Sequence, residues 1–87
     1  MLGISVLDRI KTLLEELERR GEMNLSDVMV VWTSSSVHSY LKYLVNHKFL
    51  EEDEIKDGRR RYKRYALTPK GRKLLELLRQ LETLEKA

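Results

Sequence analysis

Basic residues are concentrated between Lys56 and Arg64, where the chain has six basic residues and one acid, Asp57. Arginine and lysine side chains bind phosphate groups, and an exposed arginine can enter the minor groove of a duplex. An acidic run at residues 51–54 comes directly before this stretch. The alternatives are a solvated basic loop, or a loop that pairs with these acids. Six cations exceed what cross-strand pairs can neutralise, which favours a polyanionic partner. The residues assigned to nucleic-acid contacts are Arg59, Arg60, Arg61, Lys63 and Arg64.

A second polar set follows helical spacing in "TSSSVHSYLKYLVNHKFL". Val37, Leu41 and Leu44 fall on one helical stripe, and the opposite face carries short hydrogen-bonding side chains with no Asp or Glu. Such a face can lie deep in a major groove, although serine discriminates bases weakly and predicts modest sequence specificity. An ordinary solvent face is the alternative. The residues assigned to this set are Ser35, Ser36, His38, Ser39, Lys42 and Asn46.

No pattern in the chain predicts catalysis or metal binding. His38 and His47 are nine residues apart, and the chain has no cysteine. Residues 34–36 with His38 are too local for a catalytic triad, and no stretch resembles an oxyanion hole or a glycine-rich phosphate loop. We therefore expect no enzymatic activity, no metal and no cofactor, and no small-molecule ligand is evident.

Length and composition indicate a single domain over residues 1–87. The chain is 41% hydrophobic and 36% charged, with a formal net charge of +3. The core of so short a chain is thin, so self-association would stabilise it. No apolar run reaches the roughly 18 residues that span a membrane, and the N-terminus lacks the pattern of a secretion signal. We expect a cytoplasmic protein without a membrane partner.

An amphipathic helix is predicted at residues 5–20, because apolar positions recur at spacings of three and four. Ser5 with Asp8 resembles a capping box, and Gly21 is a plausible stop for this helix. Met23 and Leu25 can form a very short strand after it.

A helix-turn-helix candidate follows this strand. Ser26 is expected to cap a short helix at residues 26–32, although residues 28–31 are mostly β-branched and by themselves fit a buried strand equally well. A further helix is predicted at residues 35–47, with Ser34 or Ser35 as its cap. Two short helices joined by a few residues are typical of a helix-turn-helix unit.

A β-hairpin is predicted at residues 49–67, because the Asp57-Gly58 pair is a strong turn signal between two extended segments. Strand alternation places Leu67, Tyr65 and Lys63 on one face of the hairpin. Leu67 and Tyr65 are expected to lean on the core, which leaves the basic side chains near the tip exposed.

The last helix is predicted at residues 69–86, with Thr68 as its cap and Pro69 at its first position. Its leucine stripe is wider and longer than one small core needs. We interpret the stripe as a homodimer interface in which helix packs on helix. The alternative is that the leucines fold back on the first helix. The residues assigned to the interface are Leu77, Leu78, Leu81 and Leu84.

The stretches "LSDVMVVWTSSSVHSYLKYLVNHKFLEE" and "RRRYKRYALTPKGRKLL" resemble the winged helix-turn-helix domain of MarR, PadR and ArsR-type transcriptional regulators. The resemblance implies a mainly α fold with a small β-hairpin wing, in which the third helix enters the major groove. Lys48 stands where these families commonly have glycine, so it must adopt a left-handed backbone unless the turn is built differently. The "WTSSS" turn lacks the glycine often found there. The chain is too short for the additional helices that carry the dimer contacts and ligand pocket of MarR proteins.

The prediction is a homodimeric, sequence-preferring double-stranded DNA-binding protein that regulates transcription. Two alternatives stay open at this point. One is a sequence-tolerant chromatin or architectural protein, and the other is a winged-helix module that binds proteins.

Overall fold

The computed structural model describes residues 6–86, and their side chains as far as residue 84. The capping residue predicted at Ser5 lies outside the described residues. The elements follow the predicted order of helix, short strand, two helices, hairpin and helix. They are α1 (Val6–Arg20), β1 (Glu22–Asn24), α2 (Leu25–Val31), α3 (Val37–Asn46), β2 (Leu50–Asp57), β3 (Arg60–Leu67) and α4 (Pro69–Lys86).

One hydrophobic core receives an apolar face from each helix and from the sheet. Trp32, the bulky residue of the turn before α3, is buried in this core and stacks on Tyr40 with ring centroids 5.0 Å apart. An aromatic side chain therefore fills the turn that lacks glycine. The largest fully buried side chains are Trp32, Leu13, Leu14, Leu17, Met23, Leu44, Leu50, Leu75, Val28 and Val37.

The predicted hairpin forms two strands of an antiparallel sheet with the order β1-β3-β2. β2 and β3 pair in register as far as Asp57 and Arg60, which leaves Gly58 and Arg59 as a two-residue loop. Gly58 has a φ of 61°. A positive φ at the first loop position is typical of hairpin turns whose twist matches that of the strands. The loop thus lies one residue later than the Asp57-Gly58 pair indicated.

β1 pairs with β3 and ends at Asn24 rather than at Leu25. Leu25 instead begins α2, because Asn24 caps this helix: its Oδ1 accepts a hydrogen bond from the Asp27 amide at 2.8 Å. Ser26, the predicted cap, lies within the first turn. The Asn24 side chain provides the capping oxygen predicted for Ser26, two residues earlier than expected.

α3 begins at Val37, two residues after its predicted start. Residues 34–36 form a turn in which the Ser34 Oγ accepts a hydrogen bond from the Ser36 amide at 3.3 Å. The Ser34 carbonyl accepts another from the Val37 amide at 3.1 Å. Such local serine hydrogen bonds compete with helix formation. Ser36 therefore takes the cap position predicted for Ser34 or Ser35.

α3 ends in a Schellman turn with a lysine in the left-handed position. The Phe49 amide donates to the Leu44 carbonyl at 2.9 Å, and the Lys48 amide donates to the Val45 carbonyl at 3.0 Å. Lys48 has a φ of 66°, which confirms the left-handed backbone expected there. This conformation costs about 1–2 kcal/mol for a residue that carries a Cβ.

Thr68 joins the end of α3, the hairpin and the start of α4. Its Oγ1 accepts a hydrogen bond from the Gly71 amide at 2.9 Å, which confirms it as the cap of α4. The same hydroxyl donates to the Lys48 carbonyl at 2.6 Å. Gly71 is buried, and a Cβ at this position would collide with the Phe49 carbonyl oxygen. This close approach packs the first turn of α4 against the residue that joins α3 to β2.

Candidate nucleic-acid interface

A cleft of about 500 Å³ separates α3 from the base of the hairpin. From α3 it is lined by His38, Lys42 and Asn46, and from β3 by Lys63, so residues of both predicted sets meet in one place. All four side chains belong to exposed residues. Helix and wing therefore present hydrogen-bond donors and positive charge on one side of the molecule.

The hairpin faces this cleft with one set of alternating side chains. Tyr65 is buried and anchors β3 to the core, as predicted, and Lys63 follows on the same face. On β2 the register places Glu52 opposite Tyr65. Burial, followed by the interaction with Glu52, raises the pKa of the Tyr65 phenol above its usual range. The burial of Tyr65 holds the wing beside α3.

The cations of the wing differ in how firmly they are paired. Arg59 and Arg60 have no salt-bridge partner among the residues that the structure describes, and both are exposed. Arg61 Nη1 lies 3.9 Å from an oxygen of Glu54. Pairs this long and exposed contribute little to stability, so a phosphate can replace the carboxylate. The tip of the wing thus offers three arginines to a polyanion.

A second cleft, of about 460 Å³, lies between the wing and the start of α2. Ser26 lines it from the first turn of α2, and Arg60, Arg61 and Tyr62 line it from β3. The wing therefore flanks two neighbouring helices of the helix-turn-helix unit.

A family model described as a winged helix-turn-helix matches residues 7–86. The chain belongs to the winged helix-turn-helix family. A search of curated proteins and a search of solved structures each found no match. Helix-turn-helix domains place their second helix in the major groove of DNA, so the family supports binding to double-stranded DNA. Winged helix-turn-helix domains are typically not enzymes.

Arg64 of the winged helix-turn-helix domain has a different environment from the other wing cations. Its Nε lies 3.1 Å from one carboxylate oxygen of Glu22, and its Nη1 donates to the other at 3.2 Å. Strand alternation turns Arg64 to the face opposite Lys63. A bidentate pair of this kind ties β1 to β3, so the charge of Arg64 is largely compensated within the domain.

The serines assigned to the recognition helix are dispersed. Ser35 and Ser36 are exposed in the turn before α3, where the Ser36 Oγ lies 2.8 Å from the Ser34 Oγ. Ser39 lies on the far flank of α3 and lines an apolar groove of about 600 Å³ between α1, α3 and α4. His38, Lys42 and Asn46 remain as the part of this set that lines the cleft beside the wing.

Glu52 is a residue of the interface that the sequence reasoning did not single out. The sequence indicates that residues 51–54 are one acidic run facing the wing. The register sends alternate members to opposite faces and brings Glu52 into the cleft with Lys42 and Lys63. Counting alternate residues across the turn gives the face of Glu52 from the sequence, but its place beside α3 depends on how the hairpin packs.

The leucines of α4 are divided between the core and the surface. Ion pairs hold α4 against α1, with Arg79 Nη2 3.1 Å from Glu18 and Lys11 Nζ 2.8 Å from Glu82. Leu78 is only 8% exposed and packs in the core of its own chain. The exposed members of the stripe are Leu77 at 53%, Leu81 at 39% and Leu84 at 72%.

The part of the chain at residues 6–86 has no helix long and apolar enough to cross a membrane. In the same range no three His, Asp or Glu side chains are grouped to hold a metal ion. His47 instead packs its ring against Tyr43, with centroids 4.2 Å apart.

Proposed function

We propose that the protein is a cytoplasmic transcriptional regulator that binds duplex DNA with modest sequence preference as a homodimer. We also propose that, within the winged helix-turn-helix family, the chain resembles the MarR, PadR and ArsR-type regulators. The observation that carries it is the shared cleft, in which His38, Lys42 and Asn46 of α3 lie beside Lys63 of the wing.

In the proposed complex, α3 lies in the major groove and the wing contacts the flanking backbone. Asn46 and His38 are suited to hydrogen bonds with base edges, whereas Lys42 and Lys63 are suited to phosphates. Ser35 and Ser36 lie directly before α3, and the N-terminal end of a recognition helix is the end that contacts base edges. Arg59, Arg60 and Arg61 extend the phosphate contacts from the tip of the wing, or one of them enters the minor groove. The pair with Glu22 leaves Arg64 a lesser part in these contacts.

A dimer follows from the leucine stripe of α4. Leu77, Leu81 and Leu84 are exposed on a helix whose other side is already packed against α1. Burying each leucine contributes about 1.5–3 kcal/mol. Packing against α4 of a second protein chain would therefore stabilise a dimer. A two-fold dimer can present two copies of α3 one DNA turn apart, roughly 34 Å.

The decisive experiment is a selection of bound duplexes from a random pool, followed by affinity measurements over a range of salt concentrations. We expect enrichment of a short motif and a decrease of log K with log salt of about 0.9 per phosphate contact. Binding without enrichment would favour the sequence-tolerant architectural alternative. If the protein retains no duplex DNA even at low salt, the result would favour the protein-binding alternative and contradict the proposal.

The wing is tested by substituting Arg59→Gln and Arg60→Gln together. The two lost contacts should reduce the salt slope by about 1.8 and weaken binding to all sequences alike. Arg19→Gln with Arg20→Gln is a control of equal charge, because both arginines pair with Glu16 on α1. Equal losses in the two double variants would mean that only net charge matters, and would exclude a specific role for the wing.

A further inference from the structure

We infer that Glu52 is a specificity-determining residue of this interface, which lowers affinity for duplex DNA in general and thereby sharpens the preference for particular sequences. The inference rests on the proposed function, because it concerns the same cleft. Its basis is the position of one carboxylate among groups that are otherwise suited to DNA.

Glu52 lies on the face of the hairpin that is turned toward α3. It is the one carboxylate among the described residues that line the cleft, where it accompanies His38, Lys42 and Lys63. Its neighbours Glu51 and Asp53 alternate to the opposite face of the sheet. Glu54 shares the face of Glu52 but lies nearer the tip of the hairpin and does not line the cleft, so Glu52 is the acid of this run that a phosphate or base meets there.

The Glu52 carboxylate lies beside one cation and one anchored side chain of β3. Lys63 Nζ lies 3.8 Å from its Oε1. The register places Glu52 directly opposite Tyr65, which is buried in the core. The carboxylate thus repels phosphates directly and competes with them for Lys63. Both effects reduce the affinity for any duplex, whatever its sequence.

The same carboxylate is tolerated where DNA offers it a hydrogen-bond donor. In the major groove only the amino groups of cytosine and adenine donate, whereas guanine and thymine present acceptors. A site with an amino group near Glu52 recovers part of the loss, and a site with an acceptor does not. Removal of the charge should therefore help random DNA more than the preferred site.

The test compares Glu52→Gln with Glu51→Gln in the full chain. Both substitutions remove one negative charge from β2, but Glu51 pairs in register with Ala66 on the opposite face. We expect Glu52→Gln to bind a random 20-base-pair duplex about 5-fold more tightly and with a steeper salt slope, by at most about 0.9, because Lys63 no longer shares its charge with a carboxylate. Glu51→Gln should change the affinity by less than about 2-fold and leave the slope unchanged.

A second variant tests the coupling without relying on one substitution. Lys63→Gln should reduce the slope less in the native chain, where Glu52 competes with phosphate for Lys63, than in the Glu52→Gln background, where the reduction should approach about 0.9. Equal gains for Glu51→Gln and Glu52→Gln, or additive effects of Lys63→Gln, would overturn the inference while duplex binding itself stands. Weaker binding by Glu52→Gln would also overturn it. Absence of duplex binding in the native chain would overturn the proposed function and this inference together.

Discussion

At the scale of single residues, Asn46 is the side chain of α3 best suited to recognise a base. It is exposed, it lines the cleft beside the wing, and an asparagine can pair with both groups that adenine presents in the major groove. We expect Asn46→Ala to reduce the discrimination between selected and random duplexes by about 1–3 kcal/mol and to change the selected motif at one position. A competition assay with the two duplexes measures this ratio. His47→Ala, one residue further and outside the cleft, is the control and should leave the ratio unaltered.

Lys48 provides a test of backbone strain. Its left-handed conformation costs about 1–2 kcal/mol, a cost that glycine avoids. Glycine also makes the unfolded chain more flexible, which offsets about 0.5–1 kcal/mol of this gain. Lys48→Gly should therefore raise the free energy of unfolding by about 0.5–1 kcal/mol, measured by urea denaturation. Lys48→Ala removes the same side chain but keeps a Cβ, so it should not stabilise the protein. Equal effects of glycine and alanine would show that the charge of Lys48, and not its φ, matters.

At the scale of elements, the junction between α3, the hairpin and α4 depends on Gly71. Helix propensity alone predicts that Gly71→Ala stabilises α4 by about 1 kcal/mol. The added Cβ would collide with the Phe49 carbonyl oxygen and the Leu67 side chain, and a backbone atom cannot move aside cheaply. The steric effect should prevail, with a net loss of about 1–3 kcal/mol in thermal or urea unfolding.

Arg72→Ala is the matched control for this junction, because Arg72 is the exposed neighbour of Gly71 on the same helix. Its substitution should change the free energy of unfolding by less than about 0.5 kcal/mol. If Gly71→Ala were as harmless as Arg72→Ala, the contact between α4 and the end of α3 would have to be looser than described.

At the scale of the whole molecule, the oligomeric state decides how many recognition helices reach the DNA. Substituting Leu77→Glu and Leu84→Glu together places two charges on the exposed side of α4. We expect this variant to sediment as a monomer at concentrations where the native chain is a dimer, because burying unpaired carboxylates in the interface is costly. Its affinity for a two-site duplex should fall toward that for a single site.

Val30→Glu is the control for the dimer. Val30 is 76% exposed on α2, so its substitution adds a charge to an exposed apolar position away from α4. The control should retain the oligomeric state of the native chain. A native chain that sediments as a monomer over the whole concentration range would contradict the proposed interface.

Much of the architecture follows from signals between near neighbours in the chain. The apolar periodicity of α1 and α3, the turn at Gly58 and the cap of α4 by Thr68 each involve residues within about four positions of one another. The same holds for the left-handed backbone of Lys48, which the end of α3 requires. Because these interactions are local, the order of the elements could be predicted from the sequence alone.

Only the tertiary structure decided which charges and leucines remain available to a partner. Arg64 is paired by Glu22, 42 residues earlier, while Glu52 is carried into the cleft by the register of β2 against β3. Leu78 is covered by the core, whereas Leu84 on the same stripe stays exposed. These outcomes depend on elements that are distant in the chain and meet only after packing. Composition and spacing do not directly encode these long-range contacts. The sequence therefore identified the surfaces, but not which individual residues remain available to bind a partner.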